Sequence, residues 1–372
     1  MHFSINRKYF YDKLSIVSRA ISVFSPLPAL SGICIDVQSD RIILTGSDSN
    51  ISIRSTIVAG ELNQLMIEDT GSIIIESKYL LEIVRKMDCM IVDVDLIDNY
   101  LVRLSSDNGL FNLNGIEADE YPNVDFSQPS INFRIKNDVL RKIVSQTSFA
   151  CSDKDQRPVL TGVNFKSFDN ILHCSATDSY RLARKLVYFD QLPEFNITIP
   201  AKSLTEVVRS VSEEEEIDIY ASTKKIQFVF DNTIIQSRLI DGTFPDVDRI
   251  IPTSSVADMT ISASELAGVI DRTNFIRNEK QHLVKLEFSE KICRIKTSSS
   301  EIGNSNEVLV DYEYKGEDMT MSCNGTFMLD AIRALSSEQV RLQFSGLMKP
   351  IRISDPKDES VLMIIVPIRS YD

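Results

Sequence analysis

Three segments of the chain carry the same helical pattern at a constant spacing of 124 residues. They read SKYLLEIVRKM at 77–87, AKSLTEVVRSV at 201–211 and GTFMLDAIRAL at 325–335, with an arginine at the same place in each. A repeat of this length is the size of a small domain. The chain has 372 residues, so three such units would fill it.

Two further features recur in the same order in each third of the chain. Strand-like segments at 3–5 (FSI), 133–135 (FRI) and 259–261 (MTI) each precede a helical pattern. In the first copy, apolar residues from Phe10 to Ile21 follow the i, i+4, i+7, i+11 spacing of one helix face. We therefore expect two helices in each unit.

Alternating apolar and polar residues predict strands between the two helices. These runs are LSGICIDV at 30–37, LTGVNFKS at 160–167 and LVKLEFSE at 283–290. The combined pattern predicts an α+β fold of three repeated domains, each with two helices and antiparallel sheets. We place the three domains at residues 1–125, 126–250 and 251–372.

Aromatic–proline pairs mark the ends of the first two copies. Tyr121-Pro122 lies in LNGIEADEYPNV, and Phe244-Pro245 lies in RLIDGTFPDVDR. Because proline cannot donate a hydrogen bond to a sheet, we expect each pair to end the last strand of its copy and to stiffen the crossover to the next. Chance similarity is the alternative to a true repeat, and four features in the same order argue against it.

The composition limits where the protein acts. No stretch approaches 18 apolar residues, and the first segment, MHFSINRKYF, lacks the apolar core of a signal peptide. We therefore expect a cytoplasmic protein without a membrane partner. Six cysteines are scattered without a CxxC pair, which predicts reduced thiols rather than disulfides or a metal site.

The sequence shows no catalytic constellation. The histidines, His2, His173 and His282, are far apart, and none lies in a metal-binding motif. Glycine-rich phosphate loops and the GxSxG nucleophile motif are missing. The acidic groups DVD at 93–95 and EEEE at 213–216 fit the solvent face of a strand and an exposed helix end better than a metal site. We predict a non-catalytic binding protein without metal or cofactor.

Positive charge is concentrated in the predicted helices, although the chain carries a formal charge of −13. The six helical segments together hold a net charge of +8, which leaves −21 for the strands and loops. A simple preference of charged residues for helix surfaces would favour both signs equally. The separation predicts that the helices share a face that meets a polyanion.

Four motifs give the chain a family resemblance. RPVLTGVNF (157–165), ATDSYRLA (176–183), SRLIDGTFPD (237–246) and the ending VPIR (366–369) resemble the bacterial DNA sliding clamps, the beta subunits of the replicative DNA polymerase III. The resemblance covers the whole chain, with the three copies in register. It implies a head-to-tail homodimer, in which six domains close into a ring with helices lining the hole and strands forming the outer wall.

The resemblance also implies a function and partners. Such a clamp is a processivity factor that encircles double-stranded DNA independently of sequence, held by enclosure rather than by strong contacts. A groove between domains II and III receives short peptides from the polymerase alpha subunit, the clamp loader and other clamp-binding proteins. The resemblance implies no enzymatic activity.

Candidate residues for three surfaces follow from the family motifs and the charge pattern. The peptide groove matches Leu160, Thr177, Ser179, Tyr180, Arg181, Leu182, Pro245, Arg249, Ile250, Asn324, Phe327, Met348, Pro350, Ile364, Ile365, Val366, Pro367, Ile368 and Arg369. The DNA-facing candidates are Arg7, Lys8, Lys13, Arg19, Lys78, Arg85, Lys86, Arg141, Lys142, Gln156, Arg157, Lys202 and Arg209. The dimer interface would contain Phe111, Phe275 and Ile276, with the edge GLFNLNG (109–115) facing the edge IKTSSSE (295–301).

Specific roles within the groove are part of the same implication. Leu182, Ile250 and Ile368 would bury an anchor side chain of the peptide, and Arg181 and Arg369 would hold its carbonyls or carboxylates. Ordinary interdomain packing is the alternative for the apolar groove residues. A core role at a helix end is likewise the alternative for the apolar pair in the dimer interface.

Some features depart from the family pattern. The loop VFSPLPAL (23–30) has Phe24 and Ser25 where family members often carry an arginine, and the tail SYD (370–372) extends past the usual end, where it would partly cover the groove.

Two functions of other classes also stay open. A nuclease would need clustered acidic metal ligands, and a monomeric β-rich adaptor would neither dimerise nor bind DNA.

Overall fold

Two compact units make up the chain, Met1–Asn137 with Ser203–Leu239, and Asp138–Lys202 with Ile240–Asp372. The computed structural model describes residues 1–22, 25–154, 156–213, 215–276 and 282–369. Several features named above therefore lie outside the described residues, namely Phe24, one glutamate of the EEEE run and the SYD tail.

Within the described residues, six α-helices lie where the periodicity predicts them. They are α1 Arg7–Ser18, α2 Ser77–Lys86, α3 Asn137–Thr147, α4 Ala201–Ser210, α5 Ala263–Arg272 and α6 Gly325–Leu335. Helix α1 buries Phe10, Leu14 and Val17, as its spacing predicts. Ile21 lies beyond the end of α1, so the predicted helix face is one turn shorter than expected.

The described residues also form 26 strands. The first third of the chain contains β1 His2–Asn6, β2 Gly32–Val37, β3 Arg41–Ser47, β4 Ile51–Val58, β5 Met66–Asp69, β6 Gly71–Glu76, β7 Ile91–Asp98, β8 Leu101–Ser106 and β9 Gly109–Ile116. The second third contains β10 Ile131–Lys136, β11 Gly162–Phe168, β12 Ile171–Thr177, β13 Arg181–Tyr188, β14 Phe195–Pro200, β15 Glu216–Ala221, β16 Lys225–Phe230 and β17 Thr233–Arg238. The last third contains β18 Ala257–Ser262, β19 Leu283–Phe288, β20 Cys293–Ser299, β21 Gly303–Val308, β22 Tyr312–Gly316, β23 Met319–Asn324, β24 Gln339–Phe344, β25 Ile351–Asp355 and β26 Asp358–Ile365.

The first unit is built on a 13-stranded antiparallel sheet in the order β10-β15-β16-β17-β4-β3-β2-β6-β9-β8-β7-β1-β5. Strands β4 and β17 join the first copy of the repeat to the second, with Ile53 opposite Ile235. Both residues are fully buried, as are alternate residues along β3 and β4. Helices α1 and α2 pack against each other, and α1 also contacts β3 and β4. The buried apolar residues between these helices and the sheet form the core of the unit.

The second unit contains a nine-stranded and a four-stranded antiparallel sheet. Their orders are β14-β11-β12-β13-β26-β25-β24-β18-β22 and β21-β20-β19-β23. Strands β13 and β26 join the second copy to the third in the same way as β17 joins β4. Helices α5 and α6 pack against each other, and α6 also contacts β25 and β26.

The repeat is confirmed element by element. The first helix of each copy follows β1, β10 or β18 without a break, and the second follows β6, β14 or β23. The strand segments LSGICIDV, LTGVNFKS and LVKLEFSE do not match residue for residue, because the third is shifted by two residues. Gly32 and Gly162 stand opposite the residue that precedes the second helix of their copies, and the equivalent position in the third copy is Leu283. The sequence pattern places Lys285 there instead, because a period of two looks the same after a shift of two.

The role predicted for the aromatic–proline pairs was wrong in part. Strand β9 ends at Ile116 and β17 at Arg238, so both strands end several residues before their proline. After β17, the amide of Leu239 still donates to the carbonyl of Lys224 at 2.9 Å, and the chain then leaves the sheet. The proline pairs thus lie within the connections rather than at the strand ends.

Candidate functional site

Three segments of the second unit meet at one end of the β13–β26 pair. They are the turn 177–181, the start of α6 and the residues that follow β26. Arg181 stands opposite Ile365 in the sheet. Beyond this pair, the amide of Val366 donates to the carbonyl of Tyr180 at 2.9 Å, and the amide of Ile368 donates to the carbonyl of Ser322 at 2.7 Å. These bonds hold the VPIR segment between the turn and the strand that leads into α6.

The turn before β13 is fixed by its own side chains. The amides of Tyr180 and Arg181 donate to Asp178 Oδ1 at 2.9 and 3.0 Å. The Thr177 hydroxyl donates to the carbonyl of Arg181 at 2.6 Å. Ser179 takes a left-handed conformation with φ of 79°, which a short polar residue tolerates in a tight turn. The turn presents Tyr180 to solvent, where 66% of its surface is exposed.

Helix α6 places Phe327 beside this turn. Asn324 caps the helix, and its Oδ1 accepts from the amides of Thr326 and Phe327 at 2.9 and 3.3 Å. The ring of Phe327 lies 4.3 Å from the guanidinium carbon of Arg181, measured to the ring centroid. The cap therefore fixes the helix start at the position that brings an aromatic side chain to the groove.

The connection between the second and third copies covers the neighbouring part of the sheet. Its residues Phe244, Val247 and Ile251 pack on a buried apolar cluster that includes Leu182 and Ile364. Leu182 is only 2% exposed and is therefore already packed within the protein. This packing favours the alternative of ordinary packing for Leu182, and its anchor role stays a prediction.

The remaining groove candidates divide by exposure. Buried members are Leu160, Thr177, Ile364, Ile365 and Pro367. Exposed or partly exposed members are Ser179, Tyr180, Pro245, Arg249, Ile250, Asn324, Phe327, Met348, Pro350, Val366, Ile368 and Arg369. The exposed set mixes apolar surface with a few polar groups, as a peptide groove requires.

Arg181, predicted to hold peptide carbonyls or carboxylates, already has partners within the protein. Its guanidinium is bound by Asp178 and Asp330, at N–O distances of 3.0 and 2.6 Å, and its contact with a peptide stays a prediction. Sequence reasoning missed both aspartates. Asp178 lies within the ATDSYRLA motif, and Asp330 lies three residues after Phe327 on α6, which is the spacing of one helix face.

The DNA-facing candidates differ in how far they reach solvent. Exposed members are Lys8, Lys78, Arg85, Lys86, Lys142, Gln156, Arg157, Lys202 and Arg209, while Arg7, Arg19 and Arg141 are partly buried. Lys13 is 6% exposed, and its ammonium lies 2.5 Å from Asp231 Oδ2. A buried and paired lysine cannot attract phosphates, so the DNA-facing role of Lys13 was wrong.

Two of the dimer-interface expectations need correction. Ile276 is 2% exposed and belongs to the core of its own unit, whereas Phe275 and Phe111 are 59% and 40% exposed. The run 295–301 is not an edge, because β20 pairs with both β19 and β21. The edges of that four-stranded sheet are β21 and β23, and Ser322 of β23 forms a further bridge to Ile368. In the first unit, as far as it is described, β9 pairs with β8 along its length but with β6 only at its last two residues.

Reactive groups do not gather anywhere in the described residues. No group of three or more His, Cys, Asp or Glu side chains is arranged to hold a metal ion in that part of the chain. All six cysteines are free, and burial raises the pKa of the Cys151 thiol to about 12, which keeps it protonated. Among the same described residues, no helix is both long and apolar enough to cross a membrane.

The fold defines a class of protein, a three-domain clamp built from helices and antiparallel sheets. Three family models match almost the whole chain. They describe the N-terminal, central and C-terminal domains of the DNA polymerase III beta subunit and match residues 1–125, 134–246 and 248–369. The chain therefore belongs to the bacterial DNA polymerase III beta subunits, which are sliding clamps and non-catalytic processivity factors.

Relatives and solved structures agree with this assignment. The chain is 36% identical over 379 residues to the beta sliding clamp of Bacillus subtilis (strain 168), and all of both chains is covered. The crystal structure of the sliding clamp from Bacillus subtilis superposes with a TM-score of 0.93 at 35% identity, again over all of both chains. The beta chain from Streptococcus pneumoniae gives a TM-score of 0.95 at 32% identity, covering 99% of this chain and 100% of the other.

Proposed function

We propose that two copies of this chain close head to tail into a ring around double-stranded DNA and hold the replicative polymerase to its template. The observation that carries this proposal is the segregation of charge. Exposed lysines and arginines lie on α1 to α4, in a chain whose formal charge is −13. Phosphates carry no sequence information, so such a surface attracts DNA without fixing its position. Enclosure then retains the DNA while allowing it to slide.

The dimer proposal uses two strands: β9, which pairs with β6 at only two residues, and β21, at one edge of the four-stranded sheet. An exposed strand edge promotes association unless a partner covers it. Strand β9 of one copy would pair with β21 of the other, with the exposed rings of Phe111 and Phe275 nearby. Three domains per copy, at residues 1–125, 126–250 and 251–372, would give the six domains of the ring. We place this assembly in the cytoplasm.

The partner-binding proposal rests on the surface formed by the turn 177–181, the start of α6 and the VPIR segment. Short segments of the polymerase alpha subunit, the clamp loader and other clamp-binding proteins would dock there. The surface is held by backbone hydrogen bonds on both sides, at 2.7 and 2.9 Å. It therefore exists before the partner arrives, which reduces the entropy lost on binding.

Retention on circular DNA tests the ring directly. The protein would be loaded by its clamp loader onto nicked circular plasmid, and co-migration would be followed by gel filtration before and after linearisation at a single restriction site. We expect the protein to stay on the circle and to be lost from the linear form. A nicked circle incubated without clamp loader and ATP is the control for simple adhesion. Equal retention on both forms would show that enclosure is not the mode of binding.

A further inference from the structure

The guanidinium of Arg181 lies at the centre of an ion-pair network behind the groove. Its Nε is 3.0 Å from Asp178 Oδ2, and its Nη1 is 2.6 Å from Asp330 Oδ2. The side chains of Arg181 and Asp178 are only 12% and 14% exposed, so this pair is shielded from water, whereas Asp330 is 35% exposed and its pair is partly shielded. Charge-assisted hydrogen bonds in such surroundings are strong and directional.

Two aromatic rings complete this network. The guanidinium carbon lies 4.3 Å from the ring centroid of Phe327 and 5.5 Å from that of Phe149. Phe327 and Asp330 are three residues apart on α6, so their side chains share one face of the helix. The cation that binds Asp330 therefore also supports the ring of Phe327.

The network connects both aromatic walls of the groove. Asp178 accepts hydrogen bonds from the backbone of the turn that carries Tyr180, and it also binds Arg181. Asp330 binds the same arginine from α6. A substitution at Asp330 would thus change the position of the Arg181 guanidinium, which contacts the Phe327 ring directly and is linked to the Tyr180 turn through Asp178.

We propose that Asp330 is a positioning residue for partner binding: it holds Arg181 under Phe327, so that the aromatic wall is in place before a peptide arrives. This inference rests on the proposed function of the groove. Removing the Asp330 charge would leave a shielded cation with one partner instead of two and would free the ring to move. Binding of the peptide would then have to immobilise the Phe327 side chain, and the entropy lost in this step would lower the affinity.

The test compares two isosteric substitutions on neighbouring helices. Asp330→Asn removes the ion pair to Arg181, and Asp271→Asn removes the exposed pair between Asp271 and Arg333 at 3.5 Å. Affinity is measured by anisotropy of a fluorescein-labelled peptide that carries the clamp-binding segment of a replicative polymerase. We expect Asp330→Asn to bind roughly tenfold more weakly and Asp271→Asn to bind like wild type. Thermal melting confirms that each variant is folded.

A double-mutant cycle separates positioning from a general loss of stability. If Asp330 acts through Phe327, adding Asp330→Asn to Phe327→Leu will weaken binding no further. Arg181→Lys, which keeps the charge but loses the planar fork, should reproduce the Asp330→Asn loss. Unchanged affinity of Asp330→Asn, or losses that add in the cycle, would overturn the inference alone. A wild-type protein that does not bind the peptide would overturn the proposed groove and this inference with it.

Discussion

Gly162 lies where β11 packs closely against β14 and Ile240, with no space for a side chain. A Cβ atom there would lie 2.5 Å from the carbonyl oxygen of Ile199 and 2.7 Å from the side chain of Ile240. The first of these is backbone in a paired strand and has no room to move. The backbone of Gly162 is ordinary extended chain, so it is space rather than conformation that requires glycine here.

We expect Gly162→Ala to lower the free energy of unfolding by about 1–3 kcal/mol, because the added methyl overpacks a strand pair. Gly268 on α5 is the matched control, since a Cβ there would meet only the flexible end of Arg272 at 3.4 Å. Gly268→Ala should be stabilising by about 0.5–1 kcal/mol, because alanine is the better helix former. Urea titration of both variants measures the difference. An equally mild effect at both sites would mean that β11 and β14 can separate to admit the methyl.

His173 makes the stability of the second unit depend on pH. Burial and the nearby positive charge of Arg184 lower the pKa of His173 below its usual 6.5, and Asp248 opposes this only in part. The unfolded chain therefore binds a proton at higher pH than the folded protein does. The neutral ring contributes its stability above about pH 6.5, and this contribution is lost as the pH falls from 6.5 through the lower folded pKa.

His173→Asn should consequently lose less melting temperature than wild type when the pH is lowered from 7.5 to about 5. Ser175→Ala, which alters the same patch of sheet without removing a titratable group, should keep the wild-type slope. Circular dichroism melts at four or five pH values are sufficient. Parallel curves for wild type and His173→Asn would assign the acid sensitivity to other groups.

Residue roles could be predicted from the sequence only where no distant partner intervenes. Tyr180 and Phe327, both groove candidates from the sequence, are exposed and partly exposed, which their predicted role requires. The burial of Lys13 depends on Asp231, which lies 218 residues further along the chain. Pairing at such a distance leaves no local pattern, and the same applies to Asp330 and Arg181.

The helices were the most predictable elements, because an amphipathic period of 3.6 residues is a local property. The positions of several strands were also predicted from the sequence, but which strands pair with each other in the sheets was not. Strand β20 has the composition expected of an edge, with several hydroxyl groups, yet it is internal. Whether a strand is an edge depends on which other strand reaches it, and the sequence of the strand itself does not record that.

The basic helices carry a prediction that can be measured on short duplexes. Lys78, Arg85 and Lys142 are exposed on α2 and α3. Reversing all three to glutamate should weaken binding to a short DNA duplex. It should also lower the salt slope of log K by about 0.9 for each phosphate that the protein no longer neutralises. Anisotropy titrations at several salt concentrations give both quantities.

The control for this prediction has the same change in net charge at a different place. Lys166, Lys224 and Lys315 are exposed on strands or turns rather than on helices. Their reversal to glutamate should leave most of the DNA affinity intact, because the nearby phosphates would be on the helix side. Equal losses of affinity for the two triple variants would indicate that total charge, and not the helix surface, governs binding.

At the scale of the whole molecule, two of the sheets continue across the boundaries between the copies of the repeat. The 13-stranded sheet joins the first and second copies through β4 and β17, and the nine-stranded sheet joins the second and third through β13 and β26. Each junction extends the antiparallel hydrogen bonding of its neighbours. If β9 and β21 pair between copies in the same manner, one type of junction would serve every boundary of a closed ring.

That pairing leads to a prediction about assembly. Phe111 lies on β9, and Phe275 follows Arg272, which pairs with Glu307 of β21; both rings are exposed. Large apolar side chains at the centre of an interface supply much of its binding energy. Replacing both by arginine should place two charges in the dimer interface and yield a folded monomer of 42.0 kDa at about 1 μM. Ile276 is left unchanged, since its removal would open a cavity in the core of its own unit.

Tyr188→Arg is the control, because its ring is 67% exposed on another strand. Sedimentation velocity distinguishes the two masses, and a double variant that still sediments as a dimer would place the interface elsewhere.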